Sequence, residues 1–139
     1  MQVQPHLFFN GRCEEAAKFY CNNLGAEITA MMRFNEMPAG ENNSMVSPEN
    51  ADKIMHMSLR IGETEIFASD GLCTSNEAQK FEGFSLSITV PNESEAERVF
   101  TVLADGGKVD MPLMPSFFSP KFGMLTDRFN VEWIVITQQ

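Results

Sequence analysis

The 139-residue sequence predicts an α+β fold built from two β-α-β-β-β modules. Three observations carry that prediction. First, two helical stretches echo each other, "EEAAKFYCNNLGAEI" and "SEAERVFTVLADGGKV". In each, a Glu-Ala pair precedes an aromatic residue four positions after the Ala, then Leu, then a Gly-containing stop before a strand. Second, "IMHMSLRIG" alternates with the period of a strand. Third, the polar segment "GLCTSNEAQKFEG" separates the two copies as a linker.

Taken in order, "VQPHLFF" (3–9) reads as a short strand that Pro5 confines to an edge or special position. Asn10 is the expected N-cap of a helix over 12–23, which Leu24-Gly25 ends. Ala16, Phe19, Tyr20 and Leu24 lie at helical spacing on its apolar face. "AEITAMMRF" is a strand, and "NEMPAGENNSMVSPENADK" (35–53) is a polar loop long enough to act as a lid. In the next strand Met55, Met57, Leu59 and Ile61 make one face, and Ile54, His56, Ser58 and Arg60 the other. "ETEIFASD" is its hairpin partner through Gly62-Glu63.

The second copy begins with "FSLSITV" (84–90), whose apolar set Phe84, Leu86 and Ile88 fits either a pocket wall or packing under a helix. Asn92 is the expected N-cap of the second helix, with Glu95 three residues later and Gly106-Gly107 as the stop. "KVDMPLM" is a strand, "PSFFSPKFG" a loop, and "MLTDRFNVEWIVI" a closing hairpin with Trp133 turned to the core. The expected organisation is one domain over 1–139, with modules at 1–72 and 82–139. Each sheet would carry a helix on one face only, so the opposite faces need cover. Two such sheets would form a cupped, half-open mixed barrel with the helices outside and a cavity within.

A net charge of −9 argues against nucleic acid and against an anionic membrane surface as partners. No apolar run approaches the ~18 residues of a membrane span, and no secretory leader is visible, so the expected location is cytoplasmic. Cys13, Cys21 and Cys73 form no C-x-x-C pair and read as free thiols in a reducing compartment. Met31, Met32, Met55, Met57, Met111 and Met114 are expected as adaptable filler in core or cavity walls. The sequence holds no nucleophile-elbow motif, phosphate loop or dinucleotide fingerprint.

The blocks "PHLFFNG…EEAAKFY…LGAE", "HMSLRIGETEIFASD" and "GGKVDMPL…FGMLTDRFNVEW" cover almost the whole chain. Together they resemble the vicinal oxygen chelate superfamily of glyoxalase I, extradiol dioxygenases, and fosfomycin and bleomycin resistance proteins. More narrowly they are similar to its PhnB-like branch, also labelled 3-demethylubiquinone methyltransferase-like. One departure is that Phe118 and Ser119 stand where that branch usually has Trp-Gly. No strand, Gly-rich loop and helix unit supports the methyltransferase label. The resemblance implies homodimers, and in the enzymes one divalent metal held by His and Glu on the first and last strands of each half.

Carried over residue by residue, the metal positions fall on Pro5, Phe67, Phe84 (or Ser85) and Ile134, none of them a good ligand. His6 adjoins Pro5 but should point to the other face. The expected function is therefore binding of a small organic molecule without metal or other cofactor, in a pocket lined by Leu7, Phe9, Phe67, Phe118, Phe122 and Ile134. His56, Ser58 and Arg60 would orient the ligand, Arg60 as an anion partner. The alternative is an enzyme: a lyase, isomerase or dioxygenase type with a divalent metal relocated to His56, Glu65 and Glu132, or metal-free acid/base catalysis by His56.

Overall fold

The computed structural model describes residues 1–38, 45–72 and 79–139, arranged as two compact units, Met1–Gln79 and Lys80–Gln139. The first unit runs β1 (His6–Phe8), α1 (Cys13–Leu24), β2 (Glu27–Arg33), a 3-10 turn (Phe34–Glu36), β3 (Ile54–Ile61) and β4 (Thr64–Ser69). The second runs β5 (Leu86–Val90), α2 (Glu93–Ala104), β6 (Lys108–Ser116), β7 (Ser119–Thr126) and β8 (Glu132–Thr137). Each unit holds one four-stranded mixed sheet, ordered β1-β4-β3-β2 in the first and β5-β8-β7-β6 in the second. In both, the leading strand pairs in parallel with the last strand of its unit, and the remaining pairs are antiparallel. The expected α+β class with two β-α-β-β-β modules is what the chain adopts. Among the described residues no helix is long and apolar enough to cross a membrane.

The start of α1 differs from the sequence expectation. Asn10 is not its cap: it takes a positive φ of 48° in the turn before the helix, and Arg12 at the cap position makes no capping bond. The orphan N–H groups go to a distant carboxylate instead. Asp70, just after β4, accepts from Gly11 N and Cys13 N on Oδ1, both at 2.8 Å. Its Oδ2 accepts from Ile54 N at 2.9 Å, and its own N–H donates to the Ile54 carbonyl. One buried side chain thus ties the helix to two strands. In α2 the expectation holds, because Asn92 Oδ1 accepts from Glu95 N at 2.8 Å.

Each helix covers one sheet face. In the first unit Ala16 and Tyr20 of α1 are buried, as are Leu7, Met57, Leu59, Ile66 and Ala68 from the strands. In the second, Ala96, Val99 and Leu103 of α2 are buried with Leu125, Trp133 and Val135. Here a Cβ added to Gly123 of β7 would lie 2.7 Å from the Phe100 ring of α2. Trp133 faces this core as expected, donating its indole N–H to Asp127 Oδ2 at 2.9 Å. Asp127 Oδ1 also accepts from Phe129 N and Val131 N, which holds the turn before β8.

Three expectations about segments need correction. "PSFFSPKFG" is no long loop, since β6 and β7 continue through it to a two-residue turn at Phe117-Phe118, with Ser116 opposite Ser119. The strand expected at 84–90 begins at Leu86. Its register, Leu86 opposite Trp133 and Ser87 opposite Ile134, puts Leu86, Ile88 and Val90 on the helix side. Of the six methionines expected in core or cavity walls, only Met57 is fully buried. Met31, Met111 and Met114 are exposed on β2 and β6, which end their sheets and so lack a neighbour on one side. Of the expected lid at 35–53, residues 39–44 lie outside the described residues, as does Cys73. The returning limb is anchored: Phe34 N donates to the Lys53 carbonyl and Asn35 N to that of Ala51.

Two stability outcomes are expected. Asp70→Ala leaves three N–H groups, two of them buried, without their acceptor and should lower stability by about 3 kcal/mol, roughly 10 °C in a thermal melt. Asp70→Asn should cost less, because its amide oxygen can still serve Gly11 and Cys13. At Gly107 an added Cβ would sit 2.1 Å from the Thr126 carbonyl oxygen. Gly107→Ala must therefore displace backbone and should lower the denaturant midpoint by more than Gly62→Ala, where nothing lies within 4 Å of the added carbon.

Candidate functional site

The face of the first sheet opposite α1 carries the polar residues of the unit's interior strands. Register places His6 beside Phe67 and Phe67 beside Ser58, with Ala30 beyond on β2. Strand alternation adds Phe8, Ser69 and His56 to the same face. The rings form a continuous strip. His6 stacks on Phe8 with centroids 4.6 Å apart, His6 lies 6.3 Å from Phe67, and Phe67 lies 5.5 Å from His56. These are the only two histidines in the sequence. Each meets a serine: His6 Nε2 is 3.0 Å from Ser69 Oγ, and His56 Nε2 is 3.5 Å from Ser58 Oγ. Both serines are buried, whereas Phe8 is 49% exposed and His56 and Phe67 are half-buried.

Partial burial, and secondarily the charge of His56, pushes the His6 pKa below its ordinary value of 6.5. The imidazole is therefore neutral at neutral pH, a donor and acceptor and not a cation. Cys13, buried at the start of α1, is pushed up by burial first and by Asp70 and Glu14 next. It is an inert thiol.

The structure gathers His56, Ser58 and Phe67 of the expected site on one face, and within the first unit it places Leu7 and Phe9 elsewhere. Leu7 and Phe9 are core residues, 1% and 4% exposed, with Leu7 on the α1 side of β1. His6 and Phe8 hold the open side instead, so His6 shares the face of His56, contrary to expectation. The parity of β1 is set by its bonds to β4: Phe67 N donates to the Pro5 carbonyl and Phe9 N to that of Ser69. Arg60 is not an available anion partner, because its guanidinium is paired with Glu27 across the β2–β3 ladder. Phe118, Phe122 and Ile134 belong to the second unit. There Phe118 and Phe122 meet edge-to-face at 5.0 Å, and Ile134 and Ile136 share the α2-distal face with Phe122 and Met124. His6, Phe8 and Ser69 share the face of His56 and are candidates that the sequence reading missed.

The metal implied by the enzymes of the fold does not fit these residues. Pro5, Phe67, Phe84 and Ile134 offer no donor side chain. Within the first unit the relocated pair of His56 and Glu65 fails on register. Glu65 lies opposite Arg60, four residues along β3 from His56, a separation of about 13 Å. Glu132 sits on β8 of the second unit, opposite Thr126. Among the described residues no three His, Cys, Asp or Glu side chains cluster as a metal site would require.

A cleft of about 380 Å³ opens beside the start of α1, lined by Glu14, Lys18, Arg33, Asp52 and Lys53. An ion pair in it joins Arg33 and Glu14. Arg33 grips Glu14 through both terminal nitrogens, at 3.3 and 2.7 Å, and bonds the Asp52 carbonyl, while Lys53 Nζ donates to that of Gly11. The Arg33 hydrogen bonds hold the Glu14 carboxyl below its usual range. With Arg33 already paired to Glu14, the ring strip is the better candidate.

With the geometry in place, comparison with known proteins is informative. Residues 1–136 match a family model described as 3-demethylubiquinone-9 3-methyltransferase. Protein YjdN of Escherichia coli (strain K12) is 32% identical over 97% of this chain and 94% of its own length. Protein PA1353 of Pseudomonas aeruginosa, known from a crystal structure, is 40% identical with a TM-score of 0.83, over 100% of this chain and 98% of that one. A PhnB protein of Bacillus cereus, described as a putative 3-demethylubiquinone-9 3-methyltransferase, is 29% identical with a TM-score of 0.78 over 99% of both chains. A glyoxylase/bleomycin resistance protein/dioxygenase domain from Frankia sp. EAN1pec, 13% identical over 100% and 98% of the chains, shares the fold at a TM-score of 0.65.

The His6 environment has a measurable sign. A histidine whose folded pKa lies below its unfolded value binds fewer protons when folded, so its contribution to stability is present above pH 6.5 and is lost as pH falls through the depressed folded value. NMR of the two imidazoles should show one titrating below the ordinary value. His6→Gln should flatten the fall in stability across that acidic window, and His56→Gln should move the His6 titration upward.

Proposed function

The chain belongs to the 3-demethylubiquinone-9 3-methyltransferase family, and from that premise we propose that it binds a small organic molecule on the open face of its first sheet, without a metal. The observation that supports this reading is the strip Phe8, His6, Phe67, His56 with its two serine-bonded imidazoles. Apolar ring surface gives a ligand contact area and water exclusion, while a few placed polar groups fix its orientation. The neutral His6 ring suits an uncharged or weakly polar ligand, and Arg60 is already paired with Glu27. The family's methyltransferase label does not guide this reading. A methyl-transfer enzyme needs a site for its donor, and the binding proposal here rests on side chains that carry no such requirement.

The test is a thermal-unfolding screen of uncharged aromatic and aliphatic compounds in excess chelator. A compound at 100 times its Kd should add about 2.7 kcal/mol to stability. Phe67→Ala and His56→Ala should each weaken binding about tenfold or more while keeping the fold by circular dichroism. Stabilisation that requires added Zn²⁺, Ni²⁺ or Mn²⁺, or that survives both substitutions, would sink the reading.

A further inference from the structure

Resting on that binding face, we infer that its ligand is a planar aromatic molecule bearing a carbonyl-type acceptor oxygen, held by ring stacking on the strip and by the Nδ1–H of His6.

The donor assignment comes from counting hydrogen-bond capacity. Ser69 is 3% exposed, so its hydroxyl proton needs an acceptor inside the protein. Among the described residues its Oγ has two partners. Gly71 N, at 3.4 Å, is a donor, and His6 Nε2, at 3.0 Å, is the one group able to accept. The Ser69 hydroxyl therefore donates to Nε2, which fixes the proton of the neutral His6 ring on Nδ1. His6 is an exposed residue, so that N–H is presented beside the aromatic strip, where a ligand oxygen can take the place of water as its acceptor. The depressed pKa of His6 agrees with a ring that works as a neutral donor and not as a counter-ion.

The ring requirement comes from a separate observation. Four rings in succession, from Phe8 through His6 and Phe67 to His56, form a surface that saturated side chains would not need and flat ligands exploit. The charged groups on this side of the sheet are Glu65, Arg60 and Glu27. Arg60 is paired to Glu27, and Glu65 stands two residues before Phe67 on the same face of β4.

The experiment uses the full chain with ¹⁵N-labelled histidine and three probes of matched size: 2-acetylnaphthalene, 2-ethylnaphthalene and 2-acetyldecalin. The ¹⁵N shifts of the free protein should report His6 as the Nδ1–H tautomer, and Ser69→Ala should release that preference. On titration, 2-acetylnaphthalene should bind about fivefold or more tightly than either of the other two, with shifts at both imidazoles. His6→Phe keeps the ring and removes the donor. It should erase the advantage of 2-acetylnaphthalene over 2-ethylnaphthalene and leave the latter's affinity within twofold. Equal binding of 2-ethylnaphthalene to the native protein overturns the acceptor, equal binding of 2-acetyldecalin overturns the ring, and an Nε2–H tautomer overturns the assigned donor. If none of the three binds while other compounds stabilise the protein through His56 and Phe67, this inference fails and the binding reading stands. If no compound does so, both fail.

Discussion

The first unit depends on the Asp70 carboxylate. Three N–H groups from two separate stretches of chain converge on it: Gly11 and Cys13 at the start of α1, and Ile54 at the start of β3. A helix N-terminus has donors that no helical carbonyl can satisfy, and burying them without an acceptor is costly. Asp70 answers that need from the end of β4, so helix and sheet cannot shift independently. The second unit places Asp127 after β7 and spends it differently, on the 127–131 turn and the Trp133 indole. Two copies of one supersecondary pattern are thus secured by the same side chain in two ways, one through long-range bonds and one through local ones.

That anchoring sets which sheet face is core and which is open. Once α1 is fixed over Leu7, Met57, Leu59, Ile66 and Ala68, the alternate residues must point the other way. His6, Phe8, His56, Ser58, Phe67 and Ser69 are what that parity leaves on the open side. A cation there would have made an anion receptor. The ladder instead pairs Arg60 with Glu27 and leaves two imidazoles, each against a serine, among aromatic rings. The chemistry of this face is hydrogen bonding and stacking with little charge.

Part of the site was legible in the sequence and part was not, for reasons that particular residues make plain. "IMHMSLRIG" alternates apolar and polar residues over a full strand, so His56 and Ser58 could be placed on one face by period alone. The segment "PHLFF" gives no such signal, because Leu7, Phe8 and Phe9 are all apolar and the strand is three residues long. Its parity comes from the bonds that Pro5 and Phe9 make to β4, and these involve residues some sixty positions away. The availability of Arg60 was likewise invisible, since its partner Glu27 lies on a different strand. At 115–123 the prolines and serines suggested a loop, yet Pro115 lies on β6, an edge strand that tolerates proline because one side of it has no ladder bonds to lose, and Pro120 stands at the start of β7 beside the turn.

The sequence by itself determined the two-module α+β plan, the helices, the Asn92 cap and the buried place of Trp133. Each of these rests on local periodicity or on spacings of a few residues, and a linear pattern records them directly. Only the tertiary structure decided the capping of α1 by Asp70, the face on which His6 stands, the neutralisation of Arg60 and the separation of Glu65 from His56. Those are matters of strand register and of which distant backbone groups lack a partner. Both are settled when the chain closes on itself, because burial then obliges every polar group to find its bond.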